Sequence, residues 1–67
     1  MIKIIVNGRE WQVPADASIA DLLGKFKVPP RACAVELNGR IVKRDKFQKT
    51  SLKEQAVVEI IRMMGGG

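Results

Sequence analysis

The stretch IKIIVNGREWQV, residues 2–13, decides the fold of this chain. Apolar side chains alternate with other residues over positions 2–6, which is the two-residue period of a β-strand. Asn7-Gly8 follows, and because both residues tolerate a positive φ the pair predicts a tight hairpin turn. A second alternating run carries Trp11 and Val13. The chain is therefore predicted to open with a β-hairpin.

A helix is predicted directly after the hairpin. Ser18 is a good N-cap, and Asp21 three residues later completes a weaker form of the capping box. Apolar residues then recur at helical spacing, at Ile19, Leu22, Leu23 and Phe26. This stripe predicts a helix of about two to three turns with one apolar face. Val28-Pro29-Pro30 ends it, since proline lacks a backbone donor and restricts the residue before it.

Three more strands are predicted in the second half of the chain. Alternation over residues 33–37 predicts a third strand, Asn38-Gly39 a second tight turn, and residues 40–42 a short return strand. Residues 57–62 are nearly continuously apolar, which is typical of a central strand. The long segment before that last strand is polar and basic, and its two large apolar residues, Phe47 and Leu52, are predicted to anchor it to the core.

This order of elements predicts an α+β fold. One helix can cover one face of a mixed sheet of four to five strands, in which the first and last strands sit centrally. That arrangement is the β-grasp, or ubiquitin-like, layout. We expect one domain over residues 1–64, followed by a flexible glycine tail over residues 65–67.

Composition narrows the classes of function. The 67 residues include no histidine and one cysteine, which excludes Ser-His-Asp and Cys-His catalysis and an internal disulfide. We therefore expect a protein that is not an enzyme and holds no metal. No apolar run approaches the roughly 20 residues that span a bilayer, and no signal peptide is visible. The expected location is the cytoplasm, with no membrane partner.

The chain ends in Gly65-Gly66-Gly67, directly after the last predicted strand. Glycine lacks a Cβ, so such a tail can thread a narrow channel and place its terminal carboxylate in another protein's active site. A carboxylate is a poor electrophile until ATP converts it to an acyl-adenylate. A sulfur nucleophile could then replace the adenylate and leave a C-terminal thiocarboxylate. The alternative is a terminus without function.

With these elements and this ending, the chain resembles the ThiS-type sulfur carriers of thiazole biosynthesis over essentially its full length. The matching segments are residues 4–8, 18–23, 34–42 and 58–62, followed by the three glycines. The resemblance implies that an E1-like, ThiF-type enzyme adenylates Gly67 with ATP, and that Gly65 and Gly66 thread into the partner. It also implies a sulfur donor such as a cysteine desulfurase, and delivery of sulfur to a ThiG-type thiazole synthase. No bound cofactor is expected.

The chain departs from that family pattern at two places. Lys43 stands where a proline is common, and Gln55-Ala56 replaces a frequent Gly-Asp turn. Related carriers with the same ending serve molybdopterin, cysteine or tRNA-thiolation pathways. A ubiquitin-like modifier would share the activation step but form an isopeptide bond, and the sequence leaves that alternative open.

The remaining candidate residues are basic or sulfur-containing. Lys43, Arg44 and Lys46 begin a basic stretch that can be a solvated face, a docking surface for an acidic partner, or a nucleic-acid site. Nucleic acid is the least favoured of the three because only Phe47 supplies an aromatic ring there.

Met63 and Met64 either close the edge of the core or form an adaptable contact for a partner. Cys33 is in step with inward-facing residues and is predicted to be a small buried hydrophobe. Trp11 and Phe26 are predicted to belong to the core.

Overall fold

The computed structural model describes residues 1–63, and within them every predicted strand and the helix are present. The elements are β1 (Ile2–Val6), β2 (Arg9–Val13), α1 (Ile19–Phe26), β3 (Cys33–Leu37), β4 (Arg40–Val42) and β5 (Val57–Arg62). Two short 3₁₀ turns, Pro30–Ala32 and Arg44–Lys46, complete the connections. The boundary predicted between the domain and the glycine tail lies outside the described residues and stays a prediction.

The strands form one mixed sheet in the order β2-β1-β5-β3-β4. β1 and β5 run parallel, with Ile5 beside Val57, whereas the other neighbouring pairs are antiparallel. β5 is therefore the central strand, as its apolar sequence predicts, and β1 lies next to it. A five-stranded mixed sheet with one helix on one face is the β-grasp fold, so the fold prediction is confirmed.

Both predicted Asn-Gly turns have the backbone that two-residue hairpins require. Asn7 and Gly8 have φ values of 49° and 83°, and Asn38 and Gly39 have 52° and 85°. Positive φ at both central positions matches the twist of the flanking strands. Gln55 also lies in this region, at φ 70°, at the position where the family resemblance favours glycine.

The helix begins and ends at the residues its capping chemistry dictates. Ser18 Oγ accepts a hydrogen bond from the Asp21 N–H at 3.1 Å, and Asp21 Oδ2 accepts one from the Ser18 N–H at 3.0 Å. The predicted capping box is therefore present. At the other end Lys27 adopts the left-handed conformation with φ 57°, which stops α1 at Phe26, before the prolines.

The core lies between the sheet and α1. Its largest fully buried side chains are Ile4, Ile19, Leu22, Leu23, Val35, Leu52 and Val58. Phe47 and Leu52 anchor the basic segment as predicted, and Phe26 is partly buried against the core. The prediction for Trp11 is wrong, because its side chain is 36% exposed. Trp11 lies on the edge strand β2, where the last turn of the short helix meets it with Lys25 and Phe26.

Candidate functional site

The root of the C-terminal tail is the site that this fold builds. β5 pairs with β3 up to Arg62, which lies opposite Cys33, and the Met63 N–H then donates to the Ala32 carbonyl at 2.8 Å. Met64 and the candidate residues Gly65, Gly66 and Gly67 lie outside the described residues. The described part of the chain thus ends at Met63, one residue beyond the central strand.

The side chain of Asn7 holds the tail end of β5. Its Oδ1 accepts a hydrogen bond from the Ile60 N–H at 2.7 Å, and its Nδ2 donates to the Ile60 carbonyl at 3.2 Å. Because β1 stops at Val6, this amide continues the pairing of β5 where the backbone of β1 has turned away. This role was not predicted from the sequence, since an Asn-Gly pair indicates a turn but does not indicate which residue the asparagine side chain will hydrogen-bond.

Asn38 holds the other end of the same strand. Its Oδ1 accepts from the Val57 N–H at 2.9 Å, and its own N–H donates to the Val57 carbonyl at 2.7 Å. The two hairpin asparagines therefore clamp β5 at its first and fourth residues. These contacts hold β5 from both hairpins, at Val57 and at Ile60.

The two faces of β5 differ sharply in exposure. Val58 and Ile60 point into the core, where they are 0% and 9% exposed, whereas Val57 and Ile61 are 43% and 50% exposed. Ile41 on β4, opposite Glu36, is 72% exposed. We call Ile41, Val57 and Ile61 the outer apolar face. The apolar run of β5 therefore does not reflect burial on both sides, and on the outward side the exposed Glu59 lies between Val57 and Ile61.

Met63 continues the outward series of Val57 and Ile61 by strand alternation and is 50% exposed. It does not close the core edge, which was one of its two predicted roles. Its other predicted role, contact with a partner, stays a prediction. The position of Met63, next in the outward series after Ile61, would put such a contact beside the outer apolar face.

The predicted basic docking residues, Lys43, Arg44 and Lys46, are all exposed. β4 ends at Val42, opposite Val35, so the chain beyond it carries Arg44 toward Cys33 and the end of the sheet where β5 ends. Lys46 lies in the 3₁₀ turn that leads to buried Phe47. Arg44 is thus brought close to Cys33, at the end of the sheet where β5 ends.

Cys33 is 4% exposed, which confirms the prediction of a buried hydrophobe. Burial raises the pKa of its thiol above the ordinary value of 9.0, and the nearby Arg44 and Arg62 only partly offset this. A thiol with a raised pKa is protonated near neutrality and is a poor nucleophile. Cys33 therefore acts as a small core residue that packs against its apolar neighbours.

Residues 1–63 offer few groups that could act as a catalytic centre. Within them no buried side chain is polar or charged, and no three potential ligands cluster as a metal site would require. No helix in this part of the chain is long and apolar enough to cross a membrane. The features that stand out are the clamped central strand, the outer apolar face and the tail that follows them.

A β-grasp domain whose central strand runs into a terminal run of glycines defines the class of ubiquitin-like carriers and modifiers. Within that class, the model of the ThiS family matches residues 2–67, and the chain belongs to this family.

Individual relatives agree with this assignment. The sulfur carrier protein ThiS of Bacillus subtilis is 29% identical over 63 residues, covering 92% of this chain and 96% of that protein. The crystal structure of the thiamine biosynthesis protein ThiS from Geobacter metallireducens superposes with a TM-score of 0.83 at 33% identity, covering 98% of this chain and 100% of that one.

A larger relative contains a segment similar to the whole chain. The thiazole synthase of Paramagnetospirillum magneticum is 32% identical over 66 residues, which are 98% of this chain. This chain spans only a fifth of the length of that protein, at 20%. A ThiS-like segment and a thiazole synthase thus occur in one polypeptide.

Proposed function

We propose that this chain is a sulfur carrier for thiazole formation in thiamine biosynthesis, and that it acts through Gly67 and not through catalytic side chains. The observation that carries the proposal is the clamped central strand β5, whose last residue, Arg62, is followed in the sequence by two methionines and then the terminal glycines. The likeness to a whole ThiS sulfur carrier at nearly full mutual coverage supports it. In this proposal the catalysts are the partner enzymes.

The proposed loading has two steps. In an E1-like, ThiF-type partner, a carboxylate oxygen of Gly67 attacks the α-phosphate of ATP, and pyrophosphate leaves. Hydrosulfide then attacks the carbonyl carbon of the acyl-adenylate, AMP leaves, and a thiocarboxylate remains. If a cysteine desulfurase supplies the sulfur as a persulfide, the acyl disulfide formed first is reduced by a thiol. ATP and a reducing environment are both available in the cytoplasm, where we place the process.

The proposed acceptor of the sulfur is a ThiG-type thiazole synthase. The polypeptide that joins a ThiS-like segment to a thiazole synthase supports this partner, because covalent linkage keeps two domains at a high effective concentration. We assign the docking of thiazole synthase to the outer apolar face. Val57 and Ile61 lie on the same strand that carries the tail, so a partner that covers them can receive the glycines without reorienting the domain.

The basic residues Lys43, Arg44 and Lys46 have a supporting role in this proposal. Arg44 lies at the end of the sheet from which the tail leaves, so it can face acidic groups at the entrance of a partner's channel. Exposed charges of this kind chiefly raise association rates and contribute little to affinity.

The test is the intact mass of the chain after incubation with ATP, a purified ThiF-type enzyme and sulfide. The proposal predicts a mass gain equal to replacement of one oxygen by sulfur, reached only when ATP is present. The matched control is the chain without Gly66 and Gly67, which no longer ends in two glycines and should stay unchanged.

Two other results would contradict the proposal. The first is an unchanged mass when the same ThiF-type enzyme does load the carrier protein of the organism from which the enzyme was taken. That result would exclude thiocarboxylate chemistry for this chain. A covalent conjugate to lysine of another protein would instead identify a ubiquitin-like modifier.

A further inference from the structure

The inner face of the sheet carries a cleft that α1 leaves uncovered. The helix has eight residues and ends at Phe26, whereas β5 continues to Arg62. The gap is a cleft of about 380 Å³ with an apolar floor of Val6, Val28 and Ile60. We call it the inner cleft. It lies on the opposite side of β5 from the outer apolar face and plays no part in the sulfur chemistry proposed above.

Trp11 forms one wall of the inner cleft. Its ring meets Phe26 edge-to-face, with centroids 4.9 Å apart and planes at 77°, and Lys25 Nζ lies 5.9 Å from its centre. Contacts on two sides hold the indole in place, while 36% of the side chain stays exposed. A tryptophan that is fixed before binding loses little entropy when a partner covers it, which is why tryptophan is enriched at the centres of interfaces.

The charge around the inner cleft has one sign. Arg9 and Arg62 line it, and among residues 1–63 no carboxylate does. The acids nearest in sequence, Glu10 and Glu59, alternate onto the outer face, where Glu10 Oε2 lies 3.8 Å from Lys3 Nζ. A second cleft of about 270 Å³ near the start of α1 is different, because Asp16 and Asp21 line it together with Lys25. The lining of the inner cleft is therefore basic, whereas that of the second cleft carries both signs of charge.

We propose that the inner cleft binds an acidic peptide segment of a partner protein. The segment places an aromatic or aliphatic side chain on the apolar floor against Trp11 and its carboxylates beside Arg9 and Arg62. Charge complementarity favours an acidic segment, and tryptophan and arginine are both among the residues enriched where interfaces gain their affinity. The inference holds whether or not the tail carries sulfur, since it uses no residue of the tail.

The experiment titrates the full ¹⁵N-labelled chain with an acetylated, amidated peptide EEFLEE and follows the amide spectrum. We expect saturable shifts at the Trp11 indole N–H and at the amides of Val6 and Ile60. Replacing both arginines, as Arg9→Gln with Arg62→Gln, should weaken binding by about three- to tenfold. The matched control, Lys49→Gln with Lys53→Gln, removes the same charge from exposed positions elsewhere and should change affinity less than about twofold.

Peptides KKFLKK and EEAAEE separate charge from apolar contact, and both should bind at least about tenfold more weakly than EEFLEE. Four results would overturn the proposal: no saturable shift, equal binding of KKFLKK, shifts confined to Val57 and Ile61 on the outer apolar face, or an unchanged affinity in the double arginine variant. Stronger binding by the chain that lacks residues 64–67 would also overturn it, because the occupant of the cleft would then be the tail itself.

Discussion

The two faces of β5 have similar sequence and different surroundings. Val58 and Ile60 face the helix and are almost fully buried, whereas their neighbours Val57 and Ile61 are about half exposed. In a typical antiparallel sheet with one solvated face, the exposed positions would be polar. Here the outward side of β5 carries one exposed acid, Glu59, between two exposed apolar residues, and we propose that the apolar residues bind a partner. The buried residues of β5 therefore stabilise the domain, whereas the exposed ones are those that we propose to bind a partner.

The sharpest way to test that comparison is to truncate the two adjacent isoleucines. Ile60→Ala removes a side chain from the core and should lower the free energy of unfolding by about 2–4 kcal/mol. Ile61→Ala removes the same atoms from the solvated face and should cost less than about 1 kcal/mol. Urea denaturation of both variants measures the difference. Equal losses would mean that the outer apolar face is structural.

A charge on the outer face should damage binding and spare the fold. We expect Ile61→Asp to weaken the affinity for a ThiG-type thiazole synthase by at least about tenfold, because a carboxylate would be desolvated in an apolar interface. Titration calorimetry measures this. Gln48→Asp is the control, since it adds the same charge at an exposed position on the helix side of the sheet. The neighbouring Phe47 carbonyl accepts a hydrogen bond from the Ala20 N–H of α1. Equal affinities of both variants would remove the outer apolar face from the docking surface.

The asparagine clamp gives an effect of intermediate size. Asn7→Gly keeps the positive φ that the turn requires but deletes both hydrogen bonds to Ile60. We expect a loss of about 1–2 kcal/mol in unfolding free energy. Hydrogen exchange of the Ile60 amide should accelerate more than that of Val35, which the change leaves paired. Unchanged protection at Ile60 would show that β5 does not depend on the clamp.

The smallest expected effect concerns Cys33 on the inner side. Its pKa is higher in the folded chain than the ordinary 9.0, so the folded state holds the thiol proton more tightly than the unfolded state. This contribution to stability is complete below about pH 9 and is lost as pH rises from there through the folded pKa. The stability of the wild type should therefore fall more steeply above pH 9 than that of Cys33→Ala. Parallel pH profiles would place the thiol in contact with solvent.

Much of the fold follows from local sequence. The Asn-Gly pairs, the Ser18 capping box and the apolar periodicities each act within a few residues, and each predicted its element. The exposure of Trp11 could not be read in this way, because it depends on where α1 ends relative to an edge strand. The outer apolar face was missed for a related reason. An apolar strand sequence does not show whether one face of the strand or both faces will be covered by other parts of the protein.

The candidate site divides in the same manner. The terminal glycines and the family were identified from sequence, since composition and order suffice for both. The amides of Asn7 and Asn38 act on strand residues that are 53 and 19 positions away, and no local pattern reports such contacts. Arg9 and Arg62 likewise meet at one cleft only because the sheet brings β2 and β5 to the same side of the helix end.

The central claim is that the tail delivers sulfur to an enzyme that docks on the outer apolar face. The most direct test follows the intact mass of the thiocarboxylated chain after thiazole synthase and its substrates are added. The account predicts that the wild type returns to the mass of the carboxylate form as thiazole appears, while loaded Ile61→Asp keeps its sulfur over the same period. Retention of sulfur by the wild type, or equally fast release by Ile61→Asp, would contradict it.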